Sequence, residues 1–169
     1  MNYIENQLDE NAKRRRELFG RYGLAMYHAQ CVEKSLAILT SCVFHKEFLK
    51  SSIEIREEIQ SQSFTKTLGQ LIPRLKSQVT IPLNLENNLF EALRKRNWLA
   101  HDYFFDRAHD QLTPDGNEKI IEELTGLYKF FSDLDCHLMS IIDKWSTKVG
   151  IDENIENEIK EMKKKLRGV

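Results

Sequence analysis

The chain has 169 residues, 30% of them charged, yet its net charge is only −1. That length suits a single domain with a core that needs no covalent staples. The balanced charge excludes a general polycation, so any nucleic-acid contact must come from local basic patches. Seven glycines and three prolines are few, which favours long helices over a turn-rich β fold. No apolar run reaches the roughly 18 residues of a membrane helix, so no membrane partner is expected. The start, MNYIENQLDENAKRRR, lacks the apolar centre of a signal peptide. Cys31, Cys42 and Cys136 are scattered, which fits small buried apolar residues in a reducing cytoplasm better than a disulfide framework or a zinc knuckle.

The first helical stripe is Leu18, Tyr22, Ala25, Ala29, Val32, Leu36, Leu39 and Val43, in alternating steps of four and three. Asp9 is its expected N-cap, and it should fade near Lys50. The polar stretch 51–62 holds an IEIREEI patch worth a helical turn or two. A second helix is expected on Phe64, Leu68, Leu71 and Leu75, ending before Pro82, which suits the start of the next. The third carries Leu85, Leu89, Ala92, Arg96, Leu99 and Tyr103. After a loop at 108–113, Thr113-Pro114 reads as an N-cap followed by a first-turn proline. The fourth helix holds Ile120, Leu124, Leu127, Phe131, Leu134, Leu138, Ile141 and Trp145, with Gly150 as its stop. A last amphipathic helix is expected on Ile151, Ile155, Ile159, Met162 and Leu166. No strand pattern competes. The expectation is an all-α fold, an antiparallel four- to five-helix bundle over 1–150, with a C-terminal amphipathic helix over 151–169 that packs on the bundle or on a partner.

One octet stands apart: Arg96-Asn97-Trp98-Leu99-Ala100-His101-Asp102-Tyr103. Histidine titrates near neutrality and can move a proton to or from a ribose 2′-OH or a leaving 5′-oxygen. Arginine stays charged and grips phosphate oxygens in a fork. Asn97 could orient the imidazole, and Tyr103 could bond to phosphate or stack on a base. Helix geometry separates them into two sets. Positions five apart lie about 140° apart around the axis, so Arg96 and His101 do not share a face. Arg96 and Tyr103 do, as do Asn97 and His101. Bringing the two sets together takes a kink, a long arginine reach or a second subunit.

Arg96-Asn97-x-x-x-His101 resembles the Arg-x4-6-His motif of the HEPN superfamily, and Arg96-x4-His101-x-Tyr103 resembles its HepT toxin subset. Outside the octet, over residues 10–148, the resemblance is architectural. It implies a HEPN-like bundle and a homodimer whose two motifs meet in one cleft. The implied activity is metal-independent endoribonuclease cleavage with Arg96 and His101 as catalytic residues, in a toxin–antitoxin or phage-defence setting, with no cofactor. It also implies a partner nucleotidyltransferase antitoxin that would modify Tyr103 with AMP. The chain departs from a minimal toxin in its length and its 151–167 segment. Arg94 and Lys95 beside the motif are candidate RNA contacts, while Lys13-Arg14-Arg15-Arg16 with Arg21 reads as a solvated face.

Bland readings stand beside these. Arg96 on an apolar seam could pair with an acid on another helix, such as Glu33. His101, Asn97, Trp98 and Tyr103 could be packing residues of a non-catalytic helical interaction module, Trp98 at a dimer interface. A further alternative is that the chain is the inactive substrate of a partner nucleotidyltransferase. Asp102, Asp106, His109 and Asp110 suggest a metal set, but di-iron bundles take Glu-x-x-His from two helices, and here a single Asp106-x-x-His109 has no second copy. A solvated acidic face explains them better, and no metal is expected.

Overall fold

The computed structural model describes residues 2–44 and 51–149. Among them it is an all-α helical bundle of six α-helices and no strand. They are α1 (Asn2–Phe44), α2 (Ile53–Phe64), α3 (Leu68–Lys76), α4 (Leu83–His101), α5 (Tyr103–Asp106) and α6 (Pro114–Val149). A 3-10 turn over Asp110–Leu112 precedes α6. The stop expected at Gly150 and the helix expected over 151–169 lie outside the described residues.

The chain forms two compact units, one from residues 1–34 and 80–136, the other from 35–79 and 137–169. In the first unit, α1 and α4 run antiparallel. Phe19 meets Phe104, Tyr22 reaches Leu99, and Glu33 reaches Arg96. Helices α4 and α6 are antiparallel too, because Lys95 sits over Phe130 while Arg107 binds Glu123. The expected stripes supply the core: Leu18, Ala25, Ala29 and Val32 from α1, Leu85, Leu89, Ala92 and Leu99 from α4, Ile120, Leu124, Leu127, Phe131 and Leu134 from α6. Each fully buried large side chain contributes about 1.5–3 kcal/mol, which is what holds helices whose own propensity is marginal.

The second unit buries Leu36, Ala37, Leu39 and Cys42 of α1 with Leu68, Leu71, Ile72 and Leu75 of α3, and Leu138 and Ile142 of α6. Its buried hydroxyls are satisfied locally: Ser41 bonds to Ala37 O and to Ser63, and Thr40 to Leu36 O. Of the three free cysteines only Cys42 is buried, and burial pushes its thiol up to about 12. Cys31 is half-buried and Cys136 exposed, so the reading of all three as buried apolar residues fails for two of them.

Three helix boundaries and one buried position differ here from the sequence expectation. Helix α1 begins at Asn2, well before Asp9, because nothing in 2–8 breaks a helix. Phe64 closes α2 rather than opening the next helix. Helix α3 instead starts after a Thr67–Gln70 capping box, with the Thr67 N–H donating to Gln70 Oε1 at 3.0 Å. Late in α6 the buried position is Ile142, not Ile141, and Trp145 is exposed. A 3.5-residue rhythm drifts about 20° per heptad against a 3.6-residue helix, so by Ile141 the drift exceeds half a position. The Thr113-Pro114 start is as expected, and the Gly116 N–H donates to Thr113 Oγ1 at 3.1 Å.

Candidate functional site

Helix α4 ends at His101 because the chain leaves helical geometry at Asp102, where φ is −123° and ψ is −14°. The Asp102 N–H still reaches Trp98 O at 3.0 Å, and the pattern resumes with the Asp106 N–H on Asp102 O at 2.9 Å. Between them the ladder is interrupted. The carbonyl of Leu99, which would have received the Tyr103 N–H, accepts the Tyr22 hydroxyl of α1 instead, at 3.0 Å. Insertion of a side chain into the ladder is a recognised cause of a kink.

Downstream of the break, α5 is clamped. Trp98 Nε1–H donates to Asp106 Oδ2 at 2.8 Å. Arg107 lies over the Trp98 ring, 5.1 Å from its centroid, and makes two charge-assisted bonds to Glu123 at 2.8 and 2.7 Å. Those bonds hold the Glu123 carboxyl below its usual range. Gln111 Nε2 donates to Phe104 O at 3.1 Å. A Cβ on Gly116 would land on the backbone of Asp110, so the turn into α6 needs a residue without one.

Tyr103 lies beneath this clamp, 1% exposed, with its ring edge-on to Trp98 and Phe104. Its hydroxyl has no well-formed hydrogen bond among the described residues. Burial, and then the charge of nearby Glu123, push its ionisation well above the usual phenol range. The side chain is a core element in this fold. A base could not stack on it, and an enzyme adding AMP to it would have to open the clamp first.

Arg96 is half-buried and faces α1. Its Nη2 is 3.8 Å from Glu33 Oε2, the cross-helix partner that the sequence suggested, and its Nη1–H donates to Asn97 Oδ1 at 3.2 Å. The Glu33 contact is an ion pair longer than a hydrogen bond, so the guanidinium keeps donors for another anion. Asn97 is thus engaged by Arg96. His101 is exposed on the last residue of α4. Both Arg96 and His101 lie on the regular part of the helix, and the kink follows them. It leaves the angle of about 140° between Arg96 and His101 intact.

Of the RNA-contact candidates beside the motif, Arg94 is exposed, whereas Lys95 is paired with Glu91 at 3.1 Å and sits 4.8 Å from the Phe130 centroid. Among the described residues no three His, Cys, Asp or Glu side chains gather as a metal ion would require. No helix among them is long and apolar enough to cross a membrane. The sequence pattern did not reveal the Tyr22 cap, the Trp98–Asp106 bond or the Arg107–Glu123 pair. No family profile, curated protein or solved structure matches the chain.

Proposed function

We propose that the chain is a metal-independent endoribonuclease of a toxin–antitoxin or phage-defence system, with Arg96 and His101 as its catalytic residues. The observation that carries this reading is an exposed histidine ending α4, with a partly accessible, partly committed arginine five positions earlier. In the proposed step the ribose 2′-oxygen attacks phosphorus and the bond to the 5′-oxygen breaks. One imidazole takes the 2′-OH proton and another protonates the leaving oxygen. Arg96 offsets the charge that builds on the phosphate oxygens. A 2′,3′-cyclic phosphate and a free 5′-OH result.

One copy has one such histidine, and its arginine points elsewhere. The reading therefore includes a homodimer in which each copy completes the other's site. On the helical wheel Phe90, Asn97 and His101 lie on the side of α4 away from α6, and all three are exposed. An exposed aromatic beside the motif is what a second copy would cover. The cytoplasm is the proposed location, and a nucleotidyltransferase the proposed partner.

A second reading, a non-catalytic helical interaction module, is favoured by the Arg96–Glu33 pair and the enclosed Tyr103, which are structural roles. Incubating mixed RNA with the protein in EDTA, beside His101→Ala and Arg96→Ala, separates the two. The ribonuclease reading expects cyclic-phosphate ends that vanish in both variants. Cleavage that is absent, or indifferent to both changes, leaves the module reading.

A further inference from the structure

Three consecutive arginines on α1, Arg14, Arg15 and Arg16, make no ion pair among the described residues. The basic residues on either side do, Lys13 with Glu10 at 3.0 Å and Arg21 with Glu17 at 3.3 Å. Three adjacent like charges repel, and among the described residues no acid pairs with them to offset the repulsion. Their position matters as much. Phe19, one turn after Arg15, contacts Phe104 at 5.7 Å between centroids, and Tyr22 caps Leu99. This turn of α1 therefore lies alongside α5, at the end of α4 that carries His101.

The same end exposes two aromatic rings, Phe19 at 55% and Phe105 at 85%. Phe105 follows His101 by four residues and is too exposed to contribute to the core. Of the acids nearby, Glu10, Glu17, Asp106 and Glu123 are committed to Lys13, Arg21, Trp98 and Arg107. Asp102 and Asp110, on either side of α5, make no ion pair among the described residues. Unpaired guanidinium groups beside exposed rings are the composition of a single-strand nucleic-acid surface, in which phosphates meet the charges and bases stack on the rings. A duplex keeps its bases stacked inside and cannot use such rings.

We infer that this surface binds single-stranded RNA, which runs from His101 over Phe105 and Phe19 to Arg15 and Arg16. The inference rests on the endoribonuclease reading for the identity of the anion, and it adds the strand's path and its single-stranded character. A short labelled DNA oligonucleotide, uncleavable for want of a 2′-OH, tests it by fluorescence anisotropy across a salt series. The Arg15→Ala/Arg16→Ala double variant should weaken binding and shallow the slope of log affinity against log salt by about 1.4, two contacts at about 0.7 each on a single strand. Phe19→Ala and Phe105→Ala should each weaken binding about tenfold with the slope unchanged. All four side chains are exposed, and thermal melting checks that each variant folds. Affinity that is undetectable in the parent, or unmoved by these changes, overturns the surface. So does a Phe105→Ala variant whose oligomeric state changes while its affinity does not, because the patch is then a protein interface. Oligonucleotide binding as described without any RNA cleavage overturns the catalytic reading and leaves the surface. RNA cleavage by variants of unchanged affinity does the reverse.

Discussion

Arg96 and Glu33 lie 3.8 Å apart with side-chain exposures of 29% and 17%, so neither is fully solvated. Removing the arginine leaves a half-buried carboxylate without that partner, and Arg96→Ala should cost about 1 kcal/mol of stability, measured by urea denaturation. Glu33→Gln separates stability from function. If Glu33 holds the guanidinium for catalysis, Glu33→Gln should lower cleavage at a temperature where both proteins are fully folded. Unchanged cleavage beside a lowered urea midpoint would show that the pair is structural only. Tyr22→Phe removes one hydrogen bond, at 3.0 Å, from an otherwise open carbonyl. It should cost about 1 kcal/mol and lower Tm by roughly 3 °C. Gly116→Ala should cost more, about 1–3 kcal/mol, because its Cβ meets backbone that cannot rotate away.

Clamped α5 gives stability two pH limits. The Glu123 carboxyl is depressed in the fold by its hydrogen bonds to Arg107. Its contribution is complete above the usual carboxylate value and is lost as pH falls through the depressed one. Tyr103 is shifted the other way, chiefly by burial. Its contribution is complete below the ordinary phenol value of about 10 and is lost as pH rises beyond it. Urea midpoints should therefore fall in acid and again in strong alkali. Glu123→Gln should flatten the acid limb and Tyr103→Phe the alkaline one. A single limb abolished by both variants would contradict this division. The long stripes, the Thr113-Pro114 start and the Arg96–Glu33 partnership were legible in the sequence, because periodicity, capping and a charge on an apolar seam are local signals. The end of α4 was not, because Asp102 is no helix breaker and Tyr22 lies 77 positions from its acceptor. Arg107 and Glu123 were equally silent, sixteen residues apart across a turn that nothing local makes readable.

At the scale of the whole molecule, the described residues are predominantly helical, with no strand, and the motif lies wholly in the unit built from residues 1–34 and 80–136. In a single copy the motif presents an exposed His101 and an arginine turned toward α1. The dimer in the functional proposal has a direct consequence. Because the shared cleft takes one imidazole from each copy, exchanging excess His101→Ala protein into the parent should suppress cleavage well below the parent's share of the subunits. Activity that falls only in proportion to that share, with sedimentation showing heterodimers, would place a complete site within one chain.

The Tyr22–Leu99 bond has a further consequence, for folding. The residue that ends α4 belongs to another helix, so the helix end is a tertiary product. A peptide spanning 83–106 has no Tyr22 to occupy the Leu99 carbonyl, and whatever helix it forms should run through Asp102 unbroken. His101 would then be an interior helical residue. The exposed terminal histidine would exist only once α1 had docked, which ties the assembly of this candidate site to completion of the fold.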